Sequence, residues 1–274
     1  MFSELVKKAL SLHSIIPVRA EAREGAEQTT QMLFGELCTI VEEKPRWNRV
    51  KLDLDGQEGW VDAKMIAPIA GKDYTAYKKA YAAAATVCFP MAYAVSENNG
   101  QTIPLTAGTR LTNYKDGRFE VLGVGFRIDP SMVITQPITL TQESLLKTVR
   151  FFLNTPYLWG GKNALGMDCS GFTQVVMSLF GKQLLRNASE QVTQGETISD
   201  LAQAQAGDLV FFDHAGLEDG TDHPTKITHV GIVIDPTRVI HCSGRVKVEK
   251  LDSNGIFSAE QGVYTHHLAR IIRA

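Results

Sequence analysis

The spacing of the apolar residues changes near Thr141, and the change divides the chain into two kinds of structure. Over residues 12–67, short apolar runs alternate with turn residues. Residues 37–41 precede a charged turn at 42–46, residues 47–52 alternate with period two, and Asp55-Gly56 supplies a turn before Glu58-Gly-Trp-Val61. Residues 81–135 repeat this pattern more weakly, with runs at 82–87, 91–95, 103–105, 110–112 and 119–122 between Gly-containing turns. Residues 68–80 carry Pro68, Gly71 and a Lys/Tyr-rich patch, and read as a linker. Beyond Thr141 the period becomes helical. Leu145, Leu146, Val149, Phe152 and Leu153 recur behind a cap at Thr139 or Thr141, and the helix must end before Pro156. Strands follow at 208–212, 228–234, 238–242 and 246–251. Helices followed by strands indicate α+β, after an all-β first half. The expected divisions are residues 1–70, 71–138 and 139–274.

The junction between the two helices is Tyr157-Leu-Trp-Gly-Gly-Lys-Asn-Ala-Leu-Gly-Met-Asp-Cys-Ser-Gly-Phe172. A Gly-rich loop runs into Asp168-Cys169-Ser170-Gly171. The apolar pattern Phe172, Val175, Val176, Leu179, Phe180 then predicts a helix ending at Gly181. This places Cys169 in a first helical turn, where N–H groups lack intrahelical partners and the dipole favours an anion. A thiol there is expected to ionise more easily, and the thiolate is the nucleophile. A small Cys packed under a Gly-rich turn is the alternative.

A net charge of -2 gives no basic field for nucleic acid. The four cysteines, Cys38, Cys88, Cys169 and Cys242, include no Cys-x-x-Cys pair, which speaks against structural zinc and a disulfide framework. No cofactor is implied. No apolar run reaches the ~18 residues of a membrane span. Residues 1–10 do not resemble a signal peptide, so the chain as written is expected to be cytoplasmic, or exported if a leader has been removed.

All histidines except His13 lie after residue 210. His229 starts one strand pattern and His241 ends the next, 12 residues on, with Asp235-Pro236 as the turn between them. A hairpin turning there sets the two histidines roughly opposite each other. A cysteine nucleophile needs a base and a group to orient that base, and His229 and His241 fit those roles. Cys242 follows His241 and should face the other side of its strand, in the core, as should Cys38 and Cys88 on theirs. Asp213, His214, Asp222 and His223 form a conceivable metal set in a polar loop. Residues 186–200 are polar and are expected to lie across a groove, and Tyr264-Thr-His-His267 on the surface or at an interface.

Five motifs in order, Tyr157-x-Trp159-Gly-Gly, Asp168-Cys-Ser-Gly171, Ala206-Gly-Asp-Leu-Val-Phe-Phe212, His229-Val-Gly-Ile and Ile240-His241, resemble the NlpC-type cell-wall cysteine peptidases over about residues 140–274. The resemblance implies a papain-like α+β domain. The Pro-Val-Arg, Leu-Phe-Gly-Glu, Trp-x-x-Val and Gly-Trp-Val order of the first half resembles a bacterial SH3-like barrel, and residues 71–138 look like a second. Two such barrels ahead of the peptidase domain resemble the γ-D-glutamyl-L-diamino acid endopeptidases, also called dipeptidyl-peptidase VI. That likeness implies hydrolysis of murein peptides with a free N-terminal L-Ala, by a monomer, in peptidoglycan recycling. Cys169 would be the nucleophile, His229 the base and His241 the third member. Tyr157 and the Cys169 N–H would stabilise the oxyanion. Asp168 and Glu58 would hold the free amine, Tyr93 and Trp159 would line the closed end, and Ser170 and a residue of Arg186-Asn-Ala-Ser189, with Ser189 the candidate, would face the D-Glu carboxylate. Ser189 is offset from the family's commonest spacing. A general wall hydrolase, an acyltransferase on the same fold and a non-catalytic wall-binding protein are the rival readings.

Overall fold

A computed structural model describes residues 7–213 and 226–274. It falls into two compact units, Met1–Gln136 with Trp159–Ala164, and Pro137–Leu158 with Leu165–Ala274.

In the first unit, β1 (Lys7–Ser11), β2 (Ile15–Arg19), β3 (Gln28–Leu33), β4 (Leu37–Glu43), β5 (Trp47–Leu52), β6 (Glu58–Asp62) and β7 (Ile66–Ile69) form one antiparallel sheet, in the order β3-β2-β6-β5-β4-β1-β7. Alternation drives it: Trp47, Val50 and Leu52 are buried, while Arg49 and Lys51 are exposed. Residues 66–82 are not a linker. Ile66–Ile69 is a paired strand, and α1 (Gly71–Ala82) follows it, burying Tyr77 and Tyr81. The helix escaped the sequence reading because its mean face is polar and only those two rings anchor it.

Strands β8 (Ala85–Val87), β9 (Met91–Ser96), β10 (Thr102–Thr106), β11 (Arg110–Leu111), β12 (Arg118–Val121), β13 (Val124–Ile128) and β14 (Val133–Ile134) complete the unit, as a four-stranded sheet β10-β9-β13-β12 and a three-stranded sheet β11-β8-β14. The first unit is thus all β apart from α1 and short turns. Its two parts share a core: Phe34, ahead of β4, meets Phe126 edge-on at 5.5 Å, and Phe119 and Phe126 stack at 5.1 Å. Cys38 is buried as expected, whereas Cys88 lies beyond β8 and is half-buried.

The segment 159–164 returns to this unit with a buried ion pair. Lys162 Nζ donates to Glu36 Oε1 at 2.9 Å and Oε2 at 3.2 Å, with both side chains almost fully enclosed. Gln31 accepts from the Lys162 N–H and the Asn163 amide. Strand β15 (Lys162–Asn163) lies within this segment and β16 (Gly166–Met167) just after it.

The second unit opens with α2 (Gln142–Val149). Thr141 and Ser144 form a reciprocal capping box at its start. The helix stops at Val149, short of the expected Leu153. Phe152 is nevertheless buried, in a turn rather than in the helix. Helix α3 (Cys169–Leu179) is the central element, with ten of its eleven residues buried. It ends as the sequence predicts: Gly181 adopts φ +77°, and the Lys182 N–H donates to the Met177 carbonyl. A short helix α4 (Ala188–Gln191) and strand β17 (Glu196–Thr197) follow.

Strands β18 (Leu209–Asp213), β19 (His229–Asp235), β20 (Arg238–Ser243), β21 (Arg245–Asp252), β22 (Gly255–Ser258) and β23 (Val263–Arg273) pair in that order, and β22 pairs back to β23, closing a six-stranded barrel with β17 attached to β23. The last two strands were absent from the sequence reading, because the stretch 263–273 is charged and His-rich. Helix α3 packs on β19 and β20, which sets Cys169 beside the two histidine strands.

Candidate active site

Cys169 is the first residue of α3, and Asp168 caps the helix by accepting the Gly171 N–H at 2.7 Å. The cap is itself clamped. Arg186, 1% exposed, donates from Nη1 and Nη2 to Asp168 Oδ1 and Oδ2 at 2.9 and 2.6 Å, and Nη1 also reaches Ser170 Oγ at 2.9 Å. Gln191 of α4 donates to the carbonyls of Ser170 and Leu185. Residues 186–191 therefore lock the cysteine turn from the inside, where the sequence led us to expect a polar stretch across a groove. Their polarity is spent on buried partners. Ser189 is exposed on α4.

The thiol does not behave as helix position alone predicts. Burial pushes the Cys169 pKa up to about 11, and the Asp168 carboxylate adds to the rise. The backbone N–H groups of Val230 and Ser170 and the Arg186 charge pull the other way without winning. Desolvation outweighs the dipole here. A buried neutral thiol needs a base, and the Val230 amide contact places Sγ against the residue that follows His229.

The histidines pair, though not directly across the hairpin. Gly231 is the residue opposite His241 in the register, so His229 lies one diagonal step away. From there its Nε2 reaches His241 Nδ1 at 2.8 Å, with the two rings at 89°. His241 is fully buried, and burial holds its pKa below the ordinary value despite Glu249. Its Nε2 lies 2.9 Å from Glu249 Oε2 on β21. Lys247 Nζ stands 3.1 Å from the same carboxylate oxygen.

Tyr157 is fixed by its N–H donating to the Gly244 carbonyl and by a bridge to Met167. Burial raises its hydroxyl pKa well above the usual tyrosine value, and the Cys169 and Asp168 charges raise it further. Cys242 is fully buried as expected, its Sγ donating to the Met167 carbonyl.

Cys169, His229, His241, Tyr157, Asp168 and Ser170 all belong to the second unit. Glu58, Tyr93 and Trp159 belong to the first. Glu58 on β6 pairs with Arg49 at 2.9 Å, Tyr93 on β9 is 62% exposed, and Trp159 donates from Nε1 to Glu27 at 2.6 Å. Of the conceivable metal set, His214, Asp222 and His223 lie outside the described residues.

Two residues of this site, Glu249 and His266, were missed in sequence, and Arg186 was singled out only as a member of the 186–189 stretch. Its clamp on Asp168 gives no local signal. Glu249 does, because 247, 249 and 251 share a strand face and Leu251 is core, so an acid at 249 needs a buried partner. His266 was assigned to the surface, yet it is buried on β23 and stacks on His229 with centroids 4.1 Å apart.

Comparison with known proteins gives this geometry its family. Residues 154–265 match the NlpC/P60 family, and residues 18–66 match the bacterial dipeptidyl-peptidase SH3 domain. The chain carries an NlpC/P60 domain behind an SH3-like β region. Among its relatives is the γ-D-glutamyl-L-lysine dipeptidyl-peptidase of Bacillus subtilis, 29% identical over 227 residues, or 77% of this chain and 71% of that protein. A protein of the same name from Bacillus cereus is 24% identical over 234 residues, or 77% of this chain and 66% of that one. An NlpC/P60 family protein from Bacillus cereus superposes with a TM-score of 0.78 at 20% identity, covering 97% of this chain and 99% of that one. An NlpC/P60 endopeptidase from Photobacterium damselae gives 0.70 at 16% identity, over 96% and 70%. The NlpC/P60 domain and the names of these relatives support a peptidoglycan-related peptidase.

Proposed function

We propose that this chain is a cysteine peptidase that hydrolyses the γ-D-Glu–diamino acid bond of murein peptides with a free N-terminal L-Ala, releasing L-Ala-γ-D-Glu for recycling. The observation that carries the reading is the 2.8 Å His229–His241 contact on the strand whose Val230 amide touches the buried Cys169 thiol. In the first step His229 takes the thiol proton as Sγ attacks the γ-carbonyl carbon. The oxyanion is met by the Cys169 N–H, which has no intrahelical acceptor, and by Tyr157. His229 then passes the proton to the departing amine. Water attacks the thioester, His229 removes a proton from it, and Cys169 leaves as the thiol.

Specificity for a free amine rests on Asp168 and Glu58, with Tyr93 and Trp159 at the closed end and Ser170 and Ser189 toward the D-Glu carboxylate. Both acids already hold a cation, Arg186 and Arg49 respectively. The reading rests on the substrate's ammonium needing a carboxylate partner, because its desolvation otherwise costs several kcal/mol. In this reading residues 1–70, 71–138 and 139–274 are an SH3-like barrel, a second SH3-like barrel and the catalytic domain of a monomer. Lysine, named for the two Bacillus relatives, is the first diamino acid to test.

The test is mass spectrometry of products from L-Ala-γ-D-Glu-L-Lys and its N-acetylated form, with the parent protein and Cys169→Ala. The expected result is cleavage of the free peptide alone and none by the variant. Full activity in Cys169→Ala overturns the cysteine mechanism. Equal rates on the two peptides overturn the amine clamp and favour a general wall hydrolase.

A further inference from the structure

We propose that Glu249 is a positioning residue that closes a relay Cys169–His229–His241–Glu249 and dictates which nitrogen of His229 acts as the base. The inference rests on the cysteine-peptidase reading above. Three adjacent strands carry the relay on one face of the barrel sheet. His229 on β19 is diagonal to His241 on β20. On the other side of His241 the register pairs His241 with Lys247 and Val239 with Glu249, so Glu249 is again a diagonal neighbour. Each contact, 2.8 Å and then 2.9 Å, spans one such diagonal.

Protons can then be assigned from the carboxylate backward. Burial opposes the Glu249 charge, but hydrogen bonds from His241 and Lys247 hold its pKa down to about 2. An ionised carboxylate only accepts, so the proton in the His241–Glu249 bond sits on His241 Nε2. His241 is fully buried and kept neutral, so its Nδ1 carries a lone pair. The 2.8 Å contact therefore takes its proton from His229 Nε2. Neutral His229 is left with a bare Nδ1, and that nitrogen receives the thiol proton. Without the carboxylate the order can reverse. His241 Nδ1–H would then donate to His229 Nε2, leaving His229 protonated at Nδ1 and unable to act as the base.

Among the described residues, these charged groups surround Glu249. Lys247 shares its strand, His241 faces it from β20, and Glu260, itself paired with Arg245, adds a weaker negative field beyond β22. From β23, His266 packs on His229 with ring centroids 4.1 Å apart and meets His241 edge-on at 5.7 Å.

The test is Glu249→Gln, a near-isosteric change whose amide can donate to His241 and invert the relay. For the murein tripeptide, kcat is expected to fall at least 100-fold with KM changed less than threefold. Loss of the anion about two imidazole rings away should also move the acid limb of kcat/KM down by about one pH unit. A packing role alone would not move that limb. Imidazole ¹⁵N shifts of ¹⁵N-His-labelled parent protein read the tautomers directly and need no variant to fold. They are expected to show protonated Nε2 and bare Nδ1 on both His229 and His241. Protonated Nδ1 on His229 in the parent, or Glu249→Gln with unchanged kcat and acid limb, overturns the proposal. A parent protein inactive on the tripeptide would instead overturn the peptidase reading, and the shifts would still decide the relay.

Discussion

Arg186 carries a prediction that can be worked from its contacts. Its guanidinium is 1% exposed and makes a bidentate pair with a carboxylate that is itself nearly enclosed. Arg186→Met keeps the length of the stem and removes the charge. Asp168 keeps the Gly171 N–H and Ser170, but its ionised carboxylate loses its buried counter-ion. Breaking a buried pair from one side costs about 3–5 kcal/mol. For a unit of this size that corresponds to a fall in Tm of roughly 10 °C or more. Asp168→Asn combined with Arg186→Met removes the stranded charge while an Asn can still cap α3, so the double variant should be more stable than Arg186→Met alone. Urea titration monitored by circular dichroism, with a double-mutant cycle, measures both quantities. Arg186→Met within about 1 kcal/mol of the parent, or singles that simply add in the double variant, would refute the claim that this pair is a buried, coupled clamp.

Other outcomes follow from single features. Alkylation of Cys169 by iodoacetamide, followed by peptide mass spectrometry, should accelerate with pH up to about 11, since burial keeps the thiol neutral below that value; a plateau near the free-cysteine range of ~8.5 would contradict this. Gly231→Ala would put a Cβ 2.5 Å from Val239 Cγ2 and 3.1 Å from His241 Cβ, so it should lower kcat at least tenfold by displacing His241 while the protein stays folded by circular dichroism. Thr141→Ala removes half of the α2 capping box and should cost about 1 kcal/mol in urea denaturation, leaving KM unchanged.

How far the sequence could be read depended on how local each interaction was. The cap at Thr141, the Cys169 helix start, the Gly181 stop and the His hairpin are set by neighbours within a few residues, and those parts were legible. Even the His pair came out displaced by one diagonal, because the register shift between Val233 and Asp235 cannot be read from turn residues. What stayed hidden was set at long range. Arg186 reads as an ordinary polar residue until Asp168, 18 positions earlier, turns toward it. Helix α1 reads as a linker because its two buried tyrosines must find a core built by other strands. His266 reads as surface because the closing strand of a barrel shows its inner face only once the barrel exists. The same reasoning explains the thiol: helix position is visible in sequence, but the burial that reverses its effect is not.

The Lys162–Glu36 pair bears on how this architecture can be taken apart. The segment 159–164 belongs to the first unit although it lies in sequence between two stretches of the second, and its lysine finds its counter-ion on Glu36 of that same first unit. A catalytic fragment starting near residue 137 would carry an ammonium built for burial, with its acid left behind on the other fragment. Domain shuffling meets the same constraint. Any β module exchanged for the present one has to bring an acid to the position of Glu36 and an amide to that of Gln31, or the loop must lose its lysine at the same time. Residues 31, 36 and 162 form one buried set within the first unit and should change together when that unit is exchanged.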